Sequence, residues 1–498
     1  MKKKITSALI SVFSKDGLED IVKLLSKHGV KIISTGGTAE FIRKHNISVT
    51  EVETIAKFPA IFGGRVKTLQ PQIFGGILNR RDNKEDQKEK AEHKIEDIDL
   101  VIVDLYPFEE TLASGANEEN IIEKIDIGGI SLIRAAAKNF NDVVVISSKH
   151  QYQELTNILN LGNETSLEER RKFAGAGFEV TSKYDAAIRG YFQGTSLRYG
   201  ENPHQKAEFV GNLEESFTQL HGKELSYNNL IDTEAAILTV TDFQKPAFAI
   251  IKHMNACGLA VREEGELFEA YKAAYDADPV SAFGGILAAN RTITEDIAKL
   301  IKEVKLFIEV IIAPDFSKEA LAILMEKKDC RILKWNNPNL PTKQNRTCFT
   351  GILSQDRDTH VETGEDLTVV TKRAPDERER KDLLIAAVTT KHKKSNSVAL
   401  VKDGTLLAMG CGQTSRIDAL KQAIDKAQRI QQFGFSLQGA VLSSEAFFPF
   451  PDCVELAAKV GVTAVIQPGG SKNDQASIDM ADKYNLAMAT TGFRHFKH

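Results

Sequence analysis

At 498 residues, 42% hydrophobic and 27% charged, the chain has the composition of a soluble globular protein of roughly two to four domains. Its net charge of -4 argues against a general nucleic-acid binder, which would carry a basic face. No apolar run approaches the ~18 residues that a membrane helix needs.

The first residues, MKKKITSALISVF, superficially resemble a signal peptide. The apolar stretch is short and no small-residue cleavage site follows, so Lys2 to Lys4 read as the solvated start of a first strand. Further strands are expected at 31–34, 100–105, 142–147, 247–251, 307–313, 398–402, 439–442 and 462–467. Helical patterns lie between many of them, which is the signature of an α/β protein with parallel or mixed sheets. Ser166 and Glu169 form a capping box that opens a long helix running toward Phe192 and ending at Gly194. A domain boundary is expected there. The charge-dense stretches 79–99 and 372–382, the second broken at Pro375, read as solvated surface. In the later half, Ser281-Ala282-Phe283 with 310–314 looks like Glu445-Ala446-Phe447 with 465–468. A degenerate repeat of two α/β units would explain this, with a site possible between them.

Of the 34 glycines, twelve fall in six Gly-Gly pairs, so their placement is unusual although their number is not. Any one pair reads most simply as a tight turn. Gly36-Gly37, in Ser34-Thr35-Gly36-Gly37-Thr38, follows a strand and opens a helix, which aims backbone N–H groups at an anion such as phosphate. Neither a Walker loop nor a complete G-x-G-x-x-G occurs, which favours a nucleoside monophosphate over ATP or NAD. Asp126 precedes Gly128-Gly129, and Arg134 and Lys138 share a face of the next helix. A solvated basic face is the plainer reading of that pair. The alanines beside Lys138 favour a lysine held inward for proton or anion work. In IKHMNACGLA, 251–260, an apolar strand ends in Lys252, His253 and Cys257, each a candidate catalytic group. The five cysteines include no C-x-x-C pair and predict reduced thiols in a cytosol, with Cys330 and Cys348 as small buried hydrophobes.

Taken in order, STGGTA at 34–39, GGRVKTL at 63–69, DLYPFE at 104–109, IDIGG with AAAKN at 125–139, LRYGENPHQ at 197–205, IKHMNACG at 251–258, DPVSAFGG at 278–285, GQTSRIDA at 412–419, AFFPF at 446–450, QPGGS at 467–471 and TGFRHFKH at 491–498 form a specific set. The chain resembles, over essentially its full length, the bifunctional purine biosynthesis family. That family joins an inosine monophosphate (IMP) cyclohydrolase to an aminoimidazole carboxamide ribonucleotide (AICAR) formyltransferase. The resemblance implies a methylglyoxal-synthase-like, Rossmann-like domain at 1–196. It implies two cytidine-deaminase-like units at 197–385 and 386–498, without the deaminase zinc motif.

It further implies transfer of a formyl group from 10-formyltetrahydrofolate to the amine of AICAR, then ring closure to IMP. For transfer, His253 is the expected proton-transfer group and Lys252 the oxyanion partner. Asn255 positions the turn, and Cys257 is structural. Arg198, Tyr199, Asn396, Arg416 and Arg494 are expected to hold the nucleotide, and Phe447, Phe448 and Asp452 the folate, with at least one phenylalanine being plain core. For closure, Lys67, Tyr106, Asp126 and Lys138 are expected to be catalytic. Ser34 to Thr38, Lys15, Arg65 and Thr68 are expected to bind the nucleotide. The family also implies a cytoplasmic homodimer with formyltransferase sites at the subunit interface. No metal, nucleic-acid or membrane partner is expected. Phe13, Gln70, Phe74, Ala256 and Pro451 depart from the family pattern. They leave open a formyltransferase with an impaired cyclohydrolase half. A non-catalytic nucleotide-binding regulator is a second alternative, and an RNA-binding protein built on Lys391 to Lys394 a third.

Overall fold

The computed structural model describes residues 2–336 and 340–498, and the chain divides into two compact units between Gly194 and Thr195. In the first unit, five strands lie side by side in the order Thr50–Glu51, Lys31–Ser34, Ser7–Ser11, Leu100–Val103, Val144–Ile146. Every pairing is parallel. Parallel strands are covered on both faces and so read as unbroken apolar runs, and LVIV at Leu100–Val103 is wholly buried. The chain winds outward from Ser7–Ser11 in one direction, then returns to the other side at Leu100–Val103. The crevice beyond the carboxyl ends of those two strands is where such sheets bind ligands.

Helix Leu167–Gln193 opens as expected. Ser166 N donates to Glu169 Oε2 at 2.7 Å, and Glu169 N donates back to Ser166 Oγ at 3.2 Å. The charged stretch after Asn79 contains helix Lys84–Glu92, with no buried residue.

The second unit is organised around one twelve-stranded sheet assembled from two repeats. Each repeat runs helix, antiparallel hairpin, helix, then three more strands separated by helices. In the first these are Tyr227–Thr241, Ala247–Lys252 with Asn255–Val261, Leu267–Ala277, Gly285–Ala289, Ile308–Ala313 and Arg331–Trp335. In the second they are Glu377–Lys391, Val398–Lys402 with Thr405–Gly410, Arg416–Ile430, Val441–Ser444, Ala464–Gln467 and Ala487–Thr490. The repeats join where Val261 N donates to Gly404 O at 2.8 Å. The repeat is therefore real, but its sequence marker is displaced. Ser281-Ala282-Phe283 precedes the strand Gly285–Ala289, whereas Glu445-Ala446-Phe447 follows the equivalent strand Val441–Ser444.

Two glycines mark the same close approach in both repeats. A Cβ on Gly258 would overlap the Ala274 carbonyl oxygen, and one on Gly410 would overlap that of Ala419.

Three expectations change. The run 372–382 is not all solvated. Glu379 and Asp382 are buried, paired with Arg373 and Arg378 at 2.8 Å, because the helix they belong to packs against the sheet. Lys391 and His392 are buried against Asp242, each at 2.8 Å, and Lys393 is 1% exposed, so this stretch offers no basic face to RNA. Cys330 is buried, but Cys348 is not. It sits on a hairpin, Lys343–Cys348 with Gly351–Asp356, that exposes Phe349, Ile352 and Leu353. Among the described residues, no helix is long and apolar enough to cross a membrane.

Candidate functional site

In the first unit, five loops bring polar groups to the crevice. The strand Ser7–Ser11 continues into Val12 to Lys15, and Leu100–Val103 continues into Asp104 to Tyr106. The Asp104 carboxylate accepts from Phe13 N, and from Ser14 N at 2.9 Å. Lys15 Nζ donates to Val12 O and, at 3.2 Å, to Phe13 O. Ser34 and Thr38 are buried and tied to the central strand. Ser34 Oγ donates to Ile10 O at 2.7 Å, and Thr38 Oγ1 to Val12 O at 3.0 Å. Thr35 caps helix Gly36–Lys44, and its buried Oγ1 finds no partner among the described residues. An orphaned hydroxyl at a helix N-terminus suits a phosphate oxygen.

Lys67 is threaded between two glycines of positive φ. A Cβ on Gly36 would stand 3.1 Å from its Nζ, and one on Gly64 would stand 3.1 Å from its Cε. Thr68 Oγ1 faces Gly128 in the same way, 2.9 Å from where a Cβ would stand. Asp126 Oδ1 accepts from Gly129 N at 2.6 Å, and Asp126 N donates to Tyr184 Oη at 2.8 Å. Burial pushes the Asp104 and Asp126 carboxyls above their ordinary value, and Asp104 adds to the rise at Asp126. Burial lowers the Lys15 ammonium, with Asp104 opposing, and raises Tyr106, with Asp126 adding to it. Acids raised and a lysine lowered toward neutrality are what proton transfer near pH 7 needs.

Two expected residues stand apart. Arg65 is exposed and paired with Glu123. Lys138 is exposed in the last turn of helix Gly128–Lys138. Its place is about 15 Å of helix rise from the glycine pair at the other end. The flanking alanines face the core and the lysine does not, so Lys138 is not held inward beside Asp126. Of the departures, Gln70 is a buried residue before helix Pro71–Leu78, and Phe74 packs on the core. Gln70 N donates to Thr68 O at 2.8 Å, and Phe13 joins the cluster. Its ring meets Tyr106 edge-on at 5.8 Å, and Lys124 Nζ lies 5.7 Å from each ring centre.

In the second unit, Lys252 and Asn255 face each other across a two-residue turn formed by His253 (φ 52°) and Met254 (φ 63°). Lys252 Nζ donates to Phe283 O at 2.8 Å, which ties the pair to the DPVSAFGG segment. Burial pushes the Cys257 thiol up to about 11, which disfavours the thiolate. Arg198 and Tyr199 lie in a neighbouring loop, the guanidinium over the phenol ring and Nη2 donating to the hydroxyl at 2.8 Å. Asn228 Nδ2 ties that loop to helix Tyr227–Thr241 through Glu201 O at 3.1 Å.

The carboxyl-terminal segment gathers the remaining groups. His495 N donates to Glu445 O at 3.0 Å, and Ser395 N donates to Lys497 O at 2.9 Å. Arg416 is buried and already committed. It donates to Glu445 Oε2 and to Asn396 Oδ1, both at 2.6 Å, so it orients Asn396 and offers no free fork for a phosphate. Arg494 is exposed, stacked 4.5 Å from the Phe496 ring centre. Phe448 is fully buried in the core and cannot meet a folate ring, whereas Phe447 is half-buried. Phe450 and Asp452 are exposed near it, and Phe450 is a candidate that sequence reading missed. Also missed are Asp104, which lay inside a recognised motif, and Asp232, which carries no local signal, while Lys393 stood out only as part of the basic run 391–394.

Residues 136–426 match the model of the AICARFT/IMPCHase bienzyme, and residues 17–131 match an MGS-like domain. The chain belongs to the AICARFT/IMPCHase bienzyme family. A "Bifunctional purine biosynthesis protein PurH" of Bacteroides thetaiotaomicron is 52% identical, covering 100% of this chain and 99% of its own. The protein of the same name from Rhodospirillum rubrum is 48% identical, covering 99% of each. A solved structure titled "Crystal structure of ForH" shares 31% identity over 38% of this chain and 96% of its own, with a TM-score of 0.34. Family membership makes this a bifunctional enzyme of purine biosynthesis, an AICAR formyltransferase and IMP cyclohydrolase with an MGS-like N-terminal domain. Among the described residues, no group of three or more His, Cys, Asp and Glu is arranged to hold a metal ion.

Proposed function

We propose that the second unit transfers formyl from 10-formyltetrahydrofolate at the Lys252-His253 turn, and that the first unit closes the ring at the Lys67 cluster. What supports this division is that each unit gathers its own titratable side chains, Lys67, Tyr106 and Asp126 in the first and Lys252 and His253 in the second. In the second, the AICAR amine attacks the formyl carbon and the bond to the folate nitrogen breaks. His253 takes the amine proton and a proton is returned to the leaving nitrogen, while Lys252 faces the developing oxyanion. Asn396, oriented by Arg416, and Arg198 with Tyr199 hold the nucleotide. Phe447, Phe450 and Asp452 offer a folate surface.

In the first unit, phosphate sits at Ser34 to Thr38 with Lys15 and Thr68. The carboxamide nitrogen attacks the formyl carbon of the same molecule, so orientation supplies much of the rate. Lys67 and Tyr106 stabilise the formyl oxygen. Asp126 takes a proton from the carboxamide nitrogen and returns it to that oxygen, and the formamide N–H proton lost as the ring C=N forms lets the oxygen leave as water. Because Phe74 packs on the core and Lys67 is in place between Gly36 and Gly64, an impaired cyclohydrolase half is the weaker reading.

The enzyme acts as a cytoplasmic homodimer in this proposal. All five cysteines are free, which suits a reducing compartment. The hairpin bearing Phe349, Ile352 and Leu353 exposes apolar surface that a second copy would cover. Mass spectrometry of the product from AICAR and 10-formyltetrahydrofolate tests the division. IMP is expected. Formyl-AICAR accumulating without IMP contradicts a working first unit, and neither product contradicts both assignments.

A further inference from the structure

The His253-Met254 turn has φ above zero at both central residues, a geometry that normally selects Asn-Gly or Gly-Gly. Neither residue tolerates it cheaply, so something else must hold the turn. Its four backbone polar groups are all engaged by side chains. Asp232 Oδ2 accepts from His253 N at 3.1 Å, and Asp232 Oδ1 accepts from Met254 N at 2.7 Å. Asn255 Nδ2 donates to His253 O at 3.1 Å. Lys393 Nζ donates to Met254 O at 3.1 Å.

These partners come from separate places. Asp232 lies on helix Tyr227–Thr241 of the first repeat, and Lys393 follows helix Glu377–Lys391 of the second. Lys393 is 1% exposed, and burying an ammonium is costly without an acceptor. Burial, with the neighbouring Lys497 charge, pushes it down to about 7.

We propose that Asp232, Lys393 and Asn255 are positioning residues that clamp the turn and aim the His253 imidazole for formyl transfer. This rests on the assignment of His253 as the proton-transfer group. A clamp drawn from both repeats gives the second repeat a part in transfer beyond closing the sheet. Displacement of a proton-transfer group by about 1 Å can cost on the order of 10²-fold in rate.

The test is steady-state formyl transfer by Asp232→Asn, Lys393→Met and Asn255→Ala, each alone and combined with His253→Ala. Cyclisation of supplied formyl-AICAR by the same samples serves as the control. Asp232→Asn is expected to lower kcat about 10- to 100-fold with KM for AICAR nearly unchanged and cyclisation intact. Lys393→Met and Asn255→Ala should lower it less. In the His253→Ala background, all three should cost nothing further, because they act through the imidazole. Native kcat in Asp232→Asn and Lys393→Met overturns the clamp. The same loss repeated on top of His253→Ala also overturns it. Asn255→Ala, which removes one half-buried amide, carries the test if Lys393→Met does not fold. Native-rate transfer by His253→Ala alone overturns the underlying assignment instead, and that result is separable from the other two.

Discussion

The two units solve the placing of reactive groups in different ways. In the first, each loop of the cluster follows its own parallel strand or opens its own helix, and the groups meet because strand ends converge at the turning point of the sheet. Thr35 Oγ1 there finds no partner among the described residues. In the second, His253 sits on a strained two-residue turn with Lys252 beside it, and the surrounding charged groups are spent on one another. Arg416 is neutralised by Glu445, Lys391 by Asp242, and Lys393 is committed to a carbonyl. A convergent sheet edge permits a cluster that is open and individually readable. A turn between antiparallel strands needs a buried network behind it.

The largest expected effects would separate the units outright. His253→Ala should cost formyl transfer about 10²–10⁴-fold while cyclisation of supplied formyl-AICAR continues, and Lys67→Ala should do the reverse. Loss of both activities in either variant would break the comparison. Gly36→Ala should also strike cyclisation alone, by roughly tenfold or more, since a Cβ there stands 3.1 Å from Lys67 Nζ at a φ of 52°.

Arg416→Met should destabilise the second unit by about 3–5 kcal/mol, because Glu445 would be left buried and unpaired. Chemical unfolding followed for that unit measures this. A loss under about 1 kcal/mol would show that the Arg416–Glu445 pair is dispensable to the fold.

His495, between Asp358 and Glu362, is raised by those carboxylates against its burial, from 6.5 to about 9. A raised histidine stabilises the fold fully below its unfolded value, and that contribution is lost as pH climbs through the folded value. Urea midpoints of the second unit should therefore fall between pH 6.5 and about 9, and His495→Gln should flatten the slope. The smallest effect is expected at Lys138. Lys138→Ala should change cyclisation less than about tenfold, as the residue sits far from the glycine pair.

How much the sequence disclosed follows the same division. Strand Lys31–Ser34, its helix with Gly36-Gly37, and the Ser166 capping box were readable because each is a local signal. Lys138 misled because three preceding alanines suggest burial, yet the alanines are buried and the lysine at the helix end is exposed. In the second unit, Lys252 and His253 stood out at a strand end, but their supports did not. Asp232 lies 21 residues from His253, Lys393 lies 139 from Met254, and Glu445 lies 29 from Arg416. Only folding brings such pairs together, so Arg416 read as a ligand holder and the buried Lys391 to Lys393 as a basic patch. Phe448 misled for a simpler reason, since a run of phenylalanines does not say which ring faces inward.

The most direct measurement of the central division is complementation in a mixture. His253→Ala and Lys67→Ala would be supplied with AICAR and 10-formyltetrahydrofolate, separately and together, and IMP read by mass spectrometry. Formyl-AICAR alone is expected from Lys67→Ala, nothing from His253→Ala, and IMP only from the mixture. IMP from either variant alone, or none from the mixture, would contradict two separate sites joined by one freely passed intermediate.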